Sequence, residues 1–219
     1  MKKTALIILL ALDFGSCTGP MHPEPQAADS VPSAGSQHLA LQAVPALKAD
    51  TAAFYRADTL STRLLRQLAE NKPRALADWV HEEMGICFSP YAYADSARMR
   101  CMTAKGLRYL ATIPDSTRRW GEQDGTGEPL RLSWNQYRRR FIWDKDYSQL
   151  GTRRNAPSNA RGNSLLNVYT QFPDAAVVEY HVPGNERYAF MDWGSLYLVY
   201  VFRDGRWWLR AIVHDQWTI

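Results

Sequence analysis

Residues 195–214 read SLYLVYVFRDGRWWLRAIVH, two β-rich runs joined at Asp204-Gly205. An Asp-Gly pair between such runs favours a two-residue type I′ turn, because both central residues must take positive φ. Along the second run Trp208, Arg210, Ile212 and His214 alternate with Trp207, Leu209, Ala211, Val213 and Asp215. Strict alternation predicts that the two sets face opposite sides of the sheet, the more apolar set meeting the helices. The preceding run, AVVEYHV, opposes Val178, Tyr180 and Val182 to Val177, Glu179 and His181. Polar side chains thus gather on one face, expected to be convex and solvated. The last strand, with a hairpin partner before it and an apolar face of its own, is expected at the centre of the sheet.

Upstream the apolar period changes to that of helices. Leu60, Leu64, Leu65 and Leu68 form one stripe between Thr51 and Glu70, which predicts an amphipathic helix. Asn71 is placed to cap a shorter helix with Pro73 in its first turn. GICFSPYAY, residues 85–93, reads as a strand that Pro90 confines to an edge or a bend. ARMRCM alternates like a strand, whereas TAKGLRYLATI fits either type. WGEQDGTGEP is a turn-rich loop. Ser133 and Gln136 stand at capping-box spacing ahead of Trp134, Tyr137 and Phe141, which share one helical face. NSLLNVYTQFP predicts a short helix bearing Leu165, Tyr169 and Phe172. Helices first and a meander last imply an α+β class: a single domain with N-terminal helices packed on a curved, cone-like antiparallel sheet.

The first residues, MKKTALIILLALDFGSCTGP, pair two lysines with an apolar run and small residues leading to Cys17. This is the pattern of a secretory signal over residues 1–16. FGSC resembles a bacterial lipobox, which implies lipid on Cys17 and an anchor that gains about 0.8 kcal/mol per buried CH₂. Residues 17–49, rich in Pro, Ala, Ser and Gln and free of aromatics, read as a flexible tether with a reach of roughly 30 Å. Residues 50–219 are long enough for one domain with its own core. The net charge of +4 and the paired or triple arginines read as a mildly basic surface; an extracytoplasmic address excludes nucleic acid as the partner. In an oxidising compartment Cys87 and Cys101 either bridge or remain two buried thiols.

GICFSPYAY, WGEQDGTGEPLRLSWNQYRRRFIWDKDY, RGNSLLNV, VVEYHVPG, MDWGSLYLVYV and WWLRAIVHDQWTI resemble, in order, blocks of a family of uncharacterised bacterial lipoproteins. The likeness runs from roughly Ala57 to Ile219, and the order of elements is similar to the nuclear-transport-factor-2-like, or cystatin-like, cone. The resemblance implies a location and an architecture; it implies no reaction, because fold does not fix function.

The chemistry-bearing residues are scattered. HEEMG at His81 begins like the HExxH zinc motif but has Gly85 where the second His is required. Asp124, Thr126 and Glu128 offer half of an oxygen-ligand loop, better read as a Gly-rich turn. No metal or other cofactor is expected. Ser89 with His214 and Asp192 lacks a nucleophile elbow. A His/Asp acid–base pair from His214, Asp144 or Asp192 in a cone pocket gives the alternative reading, a hydrolase- or isomerase-type enzyme. The preferred reading is a non-catalytic binding or interaction module. Its ligand-binding residues are expected to be Trp120, Glu128, Asp144, Asp192, Trp193, His214, Asp215 and Trp217, aromatic faces beside carboxylates that suit a small ligand, a glycan or an envelope protein. The membrane is then a partner through the lipid anchor. The opposing reading has the eight tryptophans filling a core, their indole N–H groups satisfied by polar neighbours.

Overall fold

The structure, a computed structural model, describes residues 51–96, 98–113, 115–149, 152–154 and 160–218. The signal, Cys17, the tether and Ile219 lie outside the described residues. In chain order the elements are α1 (Thr51–Ala69), α2 (Pro73–Ala77), β1 (Ile86–Ser89), β2 (Arg100–Met102), α3 (Ala104–Leu110), β3 (Arg118–Glu122) and β4 (Pro129–Leu132). They continue with α4 (Trp134–Phe141), β5 (Thr152–Arg154), α5 (Val168–Gln171), β6 (Ala176–Val182), β7 (Gly194–Arg203) and β8 (Arg206–Gln216). The class is α+β. One six-stranded sheet runs β2-β1-β8-β7-β6-β5, and β3 and β4 form a separate hairpin.

The β7–β8 hairpin is the spine. Asp204 and Gly205 take φ values of 51° and 77°, the positive pair that a type I′ turn needs. β8 is central, between β7 and β1. The sheet, however, is mixed: β1 runs parallel to β8, where an antiparallel arrangement was expected. β1 is also interior to the sheet. It ends at Ser89, and Pro90 stands in the bend that follows, so of the two expectations the bend holds and the edge does not.

The strict alternation predicted for β8 fails at one residue. Val199 pairs with Ala211 and Tyr200 with Leu209, which leaves Arg210 as the extra residue of a β-bulge. A bulge shifts the inward–outward parity by one. Leu209 therefore shares a core with Ile212, while Ala211 and Val213 belong to the opposite one. Arg210 uses its position to donate from Nη1 to Cys87 Sγ at 3.1 Å, and burial lowers its pKa.

Neither face of the sheet is solvated as expected. On the first face Leu64, Leu65 and Leu68 of α1 pack with Phe88, Leu196, Leu198, Tyr200 and Ile212. Ser61 ties helix to sheet, its Oγ 2.9 Å from Tyr200 Oη. Trp120, Trp134, Tyr137 and Phe141 fill the same core, with Trp120 stacked on Tyr137 at 4.0 Å. The other face is covered by Leu166, Val168, Tyr169 and Phe172. Hence Glu179, assigned by alternation to an open face, is fully buried, and so are its neighbours Ser195 and Asp215.

The helix ends follow their local chemistry. Ser133 and Gln136 form the capping box of α4. Asn71 does not cap α2, whose N-cap is Lys72. Asn71 takes φ 54° and accepts from Trp134 Nε1 at 2.9 Å. The segment left open between strand and helix is β2 followed by α3, with Thr103 as its N-cap. The short helix before β6 spans only Val168–Gln171, and Leu165 lies outside it, 71% exposed. Cys87 and Cys101 face each other across β1 and β2 and are disulfide-bonded.

Candidate functional site

The eight residues singled out from sequence fall into separate places. Trp120 belongs to the core: it is fully buried, and its indole N–H donates to Leu132 O at 2.9 Å. No ligand reaches it. Glu128 is exposed in the β3–β4 hairpin, and its carbonyl accepts from Gln123 N. Asp192 Oδ1 accepts from Asn185 N at 2.6 Å and so closes the loop before β7. Trp193 and Trp217 meet at Gly162, where an added Cβ would lie 2.8 Å from Trp217 Cε3 and 3.8 Å from Trp193 Cζ2.

Asp144 and His214 come together in the interior. His214 Nε2 lies 3.2 Å from Asp144 Oδ1, and His214 Nδ1 is 3.3 Å from Pro90 O. Tyr147 Oη donates to Asp144 at 2.8 Å. Burial alone would raise the Asp144 pKa, but the hydrogen bond and charge of His214 and the Tyr147 hydroxyl bring it below the usual carboxylate value. Burial and the neighbouring Asp144 in turn push the Tyr147 hydroxyl well up. His214 is 0% exposed and packs edge-on against Phe141 at 5.6 Å. It is a core residue and not the pocket rim that the sequence suggested. Ser89 is not its partner in a triad, since its hydroxyl donates to Tyr91 O at 2.7 Å. His81 is likewise engaged, 2.9 Å from Asp204 Oδ2 across the hairpin turn.

Asp215 points the other way and meets a polar cluster that sequence reasoning missed. Arg161 Nη1 pairs with Glu179 Oε1 at 2.5 Å. Ser195 Oγ donates to the same oxygen at 3.0 Å and lies 2.9 Å from His181 Nδ1. Burial disfavours the Arg161 charge, yet Glu179 overrides it and holds the guanidinium pKa up. One signal was present: Glu179 interrupts an apolar strand, and a carboxylate there needs a cationic partner. Arg161 itself comes from a loop with no periodicity to read.

Asp215 also floors an opening. A hollow of about 240 Å³ is lined by Tyr91, Tyr93, Arg98, Asp124, Asn163, Ser164 and Asp215, among others. A second of about 210 Å³ shares Tyr91, Tyr93, Arg98 and Asp124 and extends over Glu122. Asp215 Oδ2 accepts from Ser164 Oγ at 3.3 Å. Burial raises the Asp215 pKa to about 7, against the Ser164 hydrogen bond and the charges of His214 and Arg161, and Glu179 adds to the rise. A buried carboxylate with a raised pKa beside a cleft makes this a candidate functional site.

A larger groove of about 820 Å³ lies elsewhere, between α1 and the tip of the β7–β8 hairpin, lined by Leu60, Arg63, Trp79 and Trp207. Its carboxylate, Asp78, is exposed and paired with Arg108 at 3.3 Å. Size alone favours this groove; the chemistry favours the cleft over Asp215.

Comparison with known families and with curated proteins returns no match. The site therefore stands on its own geometry. Among the described residues, no three His, Cys, Asp or Glu side chains stand close enough to hold a metal ion. Nor is any helix among them long and apolar enough to cross a membrane.

Proposed function

We propose that this protein is an extracytoplasmic lipoprotein, anchored through Cys17, that acts as a non-catalytic binding module for an envelope glycan or peptide. The ligand seats in the cleft between Tyr91, Tyr93 and Asp215. The observation that carries the reading is that cleft, lined by Tyr91, Tyr93, Arg98 and Asn163, with a buried carboxylate whose pKa is raised to about 7 at its floor. A concave site with aromatic faces and a few placed polar groups is the usual form of a small-ligand site. The Cys87–Cys101 bridge supports an oxidising compartment. The cone-like architecture belongs to the same proposal and draws support from the helices and aromatics gathered on one side of the sheet.

That side supports binding over catalysis. Phe88, Trp120, Trp134, Tyr137 and Phe141 pack together as core on that side, and His214 beside them is fully buried. A hydrolase- or isomerase-type reading shifts from the His214–Asp144 pair to Asp215, whose pKa of about 7 suits a general acid or base.

Sedimentation of the full chain, in detergent, with insoluble peptidoglycan sacculi tests the proposal. The wild type is expected to co-sediment, and Tyr93→Ala to lose most of the bound fraction with an unchanged melting temperature. Equal co-sedimentation of the two, or none by the wild type, would remove the cleft from this role. Labelling with a tagged fatty acid tests the anchor: label on Cys17→Ser equal to that on the wild type would overturn it.

A further inference from the structure

We infer that the cleft recognises a cationic amine on its ligand, seated against Asp215 with Tyr91 and Tyr93 at its flanks. This rests on the binding-module reading and names the chemical class that it selects.

Charge is the first argument. The two adjoining hollows are lined by the carboxylates of Asp215, Asp124 and Glu122 against one cation, Arg98. Arg98 is already engaged, its Nε 3.6 Å from Glu122 Oε2 and 4.0 Å from Asp95 Oδ2. Glu122 is also paired with Arg119 at 2.7 Å, which leaves Asp124 and Asp215 without an ion pair among the described residues, and these two favour a positive guest.

Asp215 supplies the second, independent argument. It is 1% exposed and lines the hollow, yet its only hydrogen bond from a described residue is the 3.3 Å contact of Ser164 with Oδ2. Oδ1 has no such donor. Asp215 thus lines the hollow with acceptor capacity to spare, and an ammonium brings up to three donors to such a carboxylate. Arg161 is not free to fill it, because its guanidinium is held by Glu179 and Ser195.

The walls suit the same guest. Tyr93 is 46% exposed, and Tyr91 is fixed edge-on against Phe141 at 5.6 Å. Tyrosine rings attract a cation placed over their faces. A neutral hydroxyl or amide could also donate to Asp215 but would bring it no positive charge.

The experiment compares two probes that differ only in that charge, Nα-acetyl-lysine amide and Nα,Nε-diacetyl-lysine amide, by titration calorimetry on the full chain. The wild type is expected to bind the free amine roughly tenfold more tightly. Asp215→Asn is expected to abolish the difference. Asp124→Asn, at an exposed position that does not bear on folding, is expected to reduce it. Equal affinity for both probes, no binding of either at millimolar concentration, or a preference that survives Asp215→Asn overturns the proposal. If co-sedimentation with sacculi persists while the probes bind equally, amine selectivity fails and the binding module stands. If the amine preference holds without co-sedimentation, the amine site stands and peptidoglycan is excluded as its source.

Discussion

His214 and Asp215 are consecutive in β8, and the pleat sends them into different buried environments. His214 Nε2 lies 3.2 Å from Asp144 Oδ1 in the helix-covered core. Asp215 Oδ2 lies 3.3 Å from Ser164 Oγ under the opposite cover. Adjacent residues of a strand cannot share a partner on one face, so the pair divides into a structural histidine and a cleft carboxylate.

For His214 the expected result is a loss of stability. His214→Ala would leave Asp144 buried without its imidazole and open a void beside Phe141, at a cost of about 2–4 kcal/mol. Asp144→Asn would cost less, because Tyr147 can still donate to the amide oxygen. The Asp144 pKa is lowered in the folded state, so its contribution is fully present above the unfolded value of about 3.9. That contribution is lost as pH falls through the lower folded value. Denaturant midpoints at constant slope measure both effects; a His214→Ala midpoint equal to wild type would return His214 to the pocket.

The disulfide joins β1 to the short edge strand β2, and its sequence separation is 14. Closing a loop of that size contributes roughly 3 kcal/mol in the chain-entropy model. The double variant Cys87→Ser/Cys101→Ser is expected to lose about that much. The earliest hydrogen exchange should appear in β2, which pairs only with β1. Uniform loss of protection across β6–β8 instead would show that the bridge stabilises the whole sheet.

Much of this frame is legible in the residues. The two β-rich runs of β7 and β8, the Asp204-Gly205 turn, the Ser133–Gln136 box and the α1 leucine stripe are local patterns, and local chemistry decides them. The bulge at Arg210 is not legible, since one extra residue leaves no mark in composition yet reverses which face Leu209 serves. The fate of Trp120 depends on stacking with Tyr137, seventeen positions on, and periodicity does not report such pairs. Glu179 announced a need for a partner, but only the folded chain shows that Arg161 answers it. The cleft was half visible: Asp215 was named, whereas Tyr91, Tyr93 and Asn163 reach it from separate segments.

Gly162 sets the approach of the segment that covers Asp215. It takes φ +59°, and an added Cβ would sit 2.8 Å from Trp217 Cε3. Gly162→Ala is expected to cost about 1–2 kcal/mol from the left-handed backbone alone, and more from displacing the indole. Trp217 is 40% exposed, so Trp217→Ala should cost about 1 kcal/mol. Trp120→Ala, in the core, should cost about 3–5 kcal/mol. Combining Gly162→Ala with Trp217→Ala should be less damaging than the sum, because the clash is removed. Strict additivity in thermal melts would mean that the two do not touch.

Asp215 gives the sharpest pH signature. Its pKa is raised to about 7 by burial and by Glu179, while Ser164, His214 and Arg161 act against the rise. Tyr147 also feels its charge, and Asp124 and Arg98 face it across the cleft. Between the unfolded value of about 3.9 and pH 7, the folded protein holds a proton that the unfolded chain has released. Stability therefore falls as pH rises through this window and levels off above it. Asp215→Asn carries no titrating proton, so its melting temperature should lack that slope, matching the wild type near pH 4 and exceeding it at pH 8. A wild-type profile that falls in parallel with the variant between pH 4 and 7 would place the titrating group elsewhere and remove the strained carboxylate from the cleft floor.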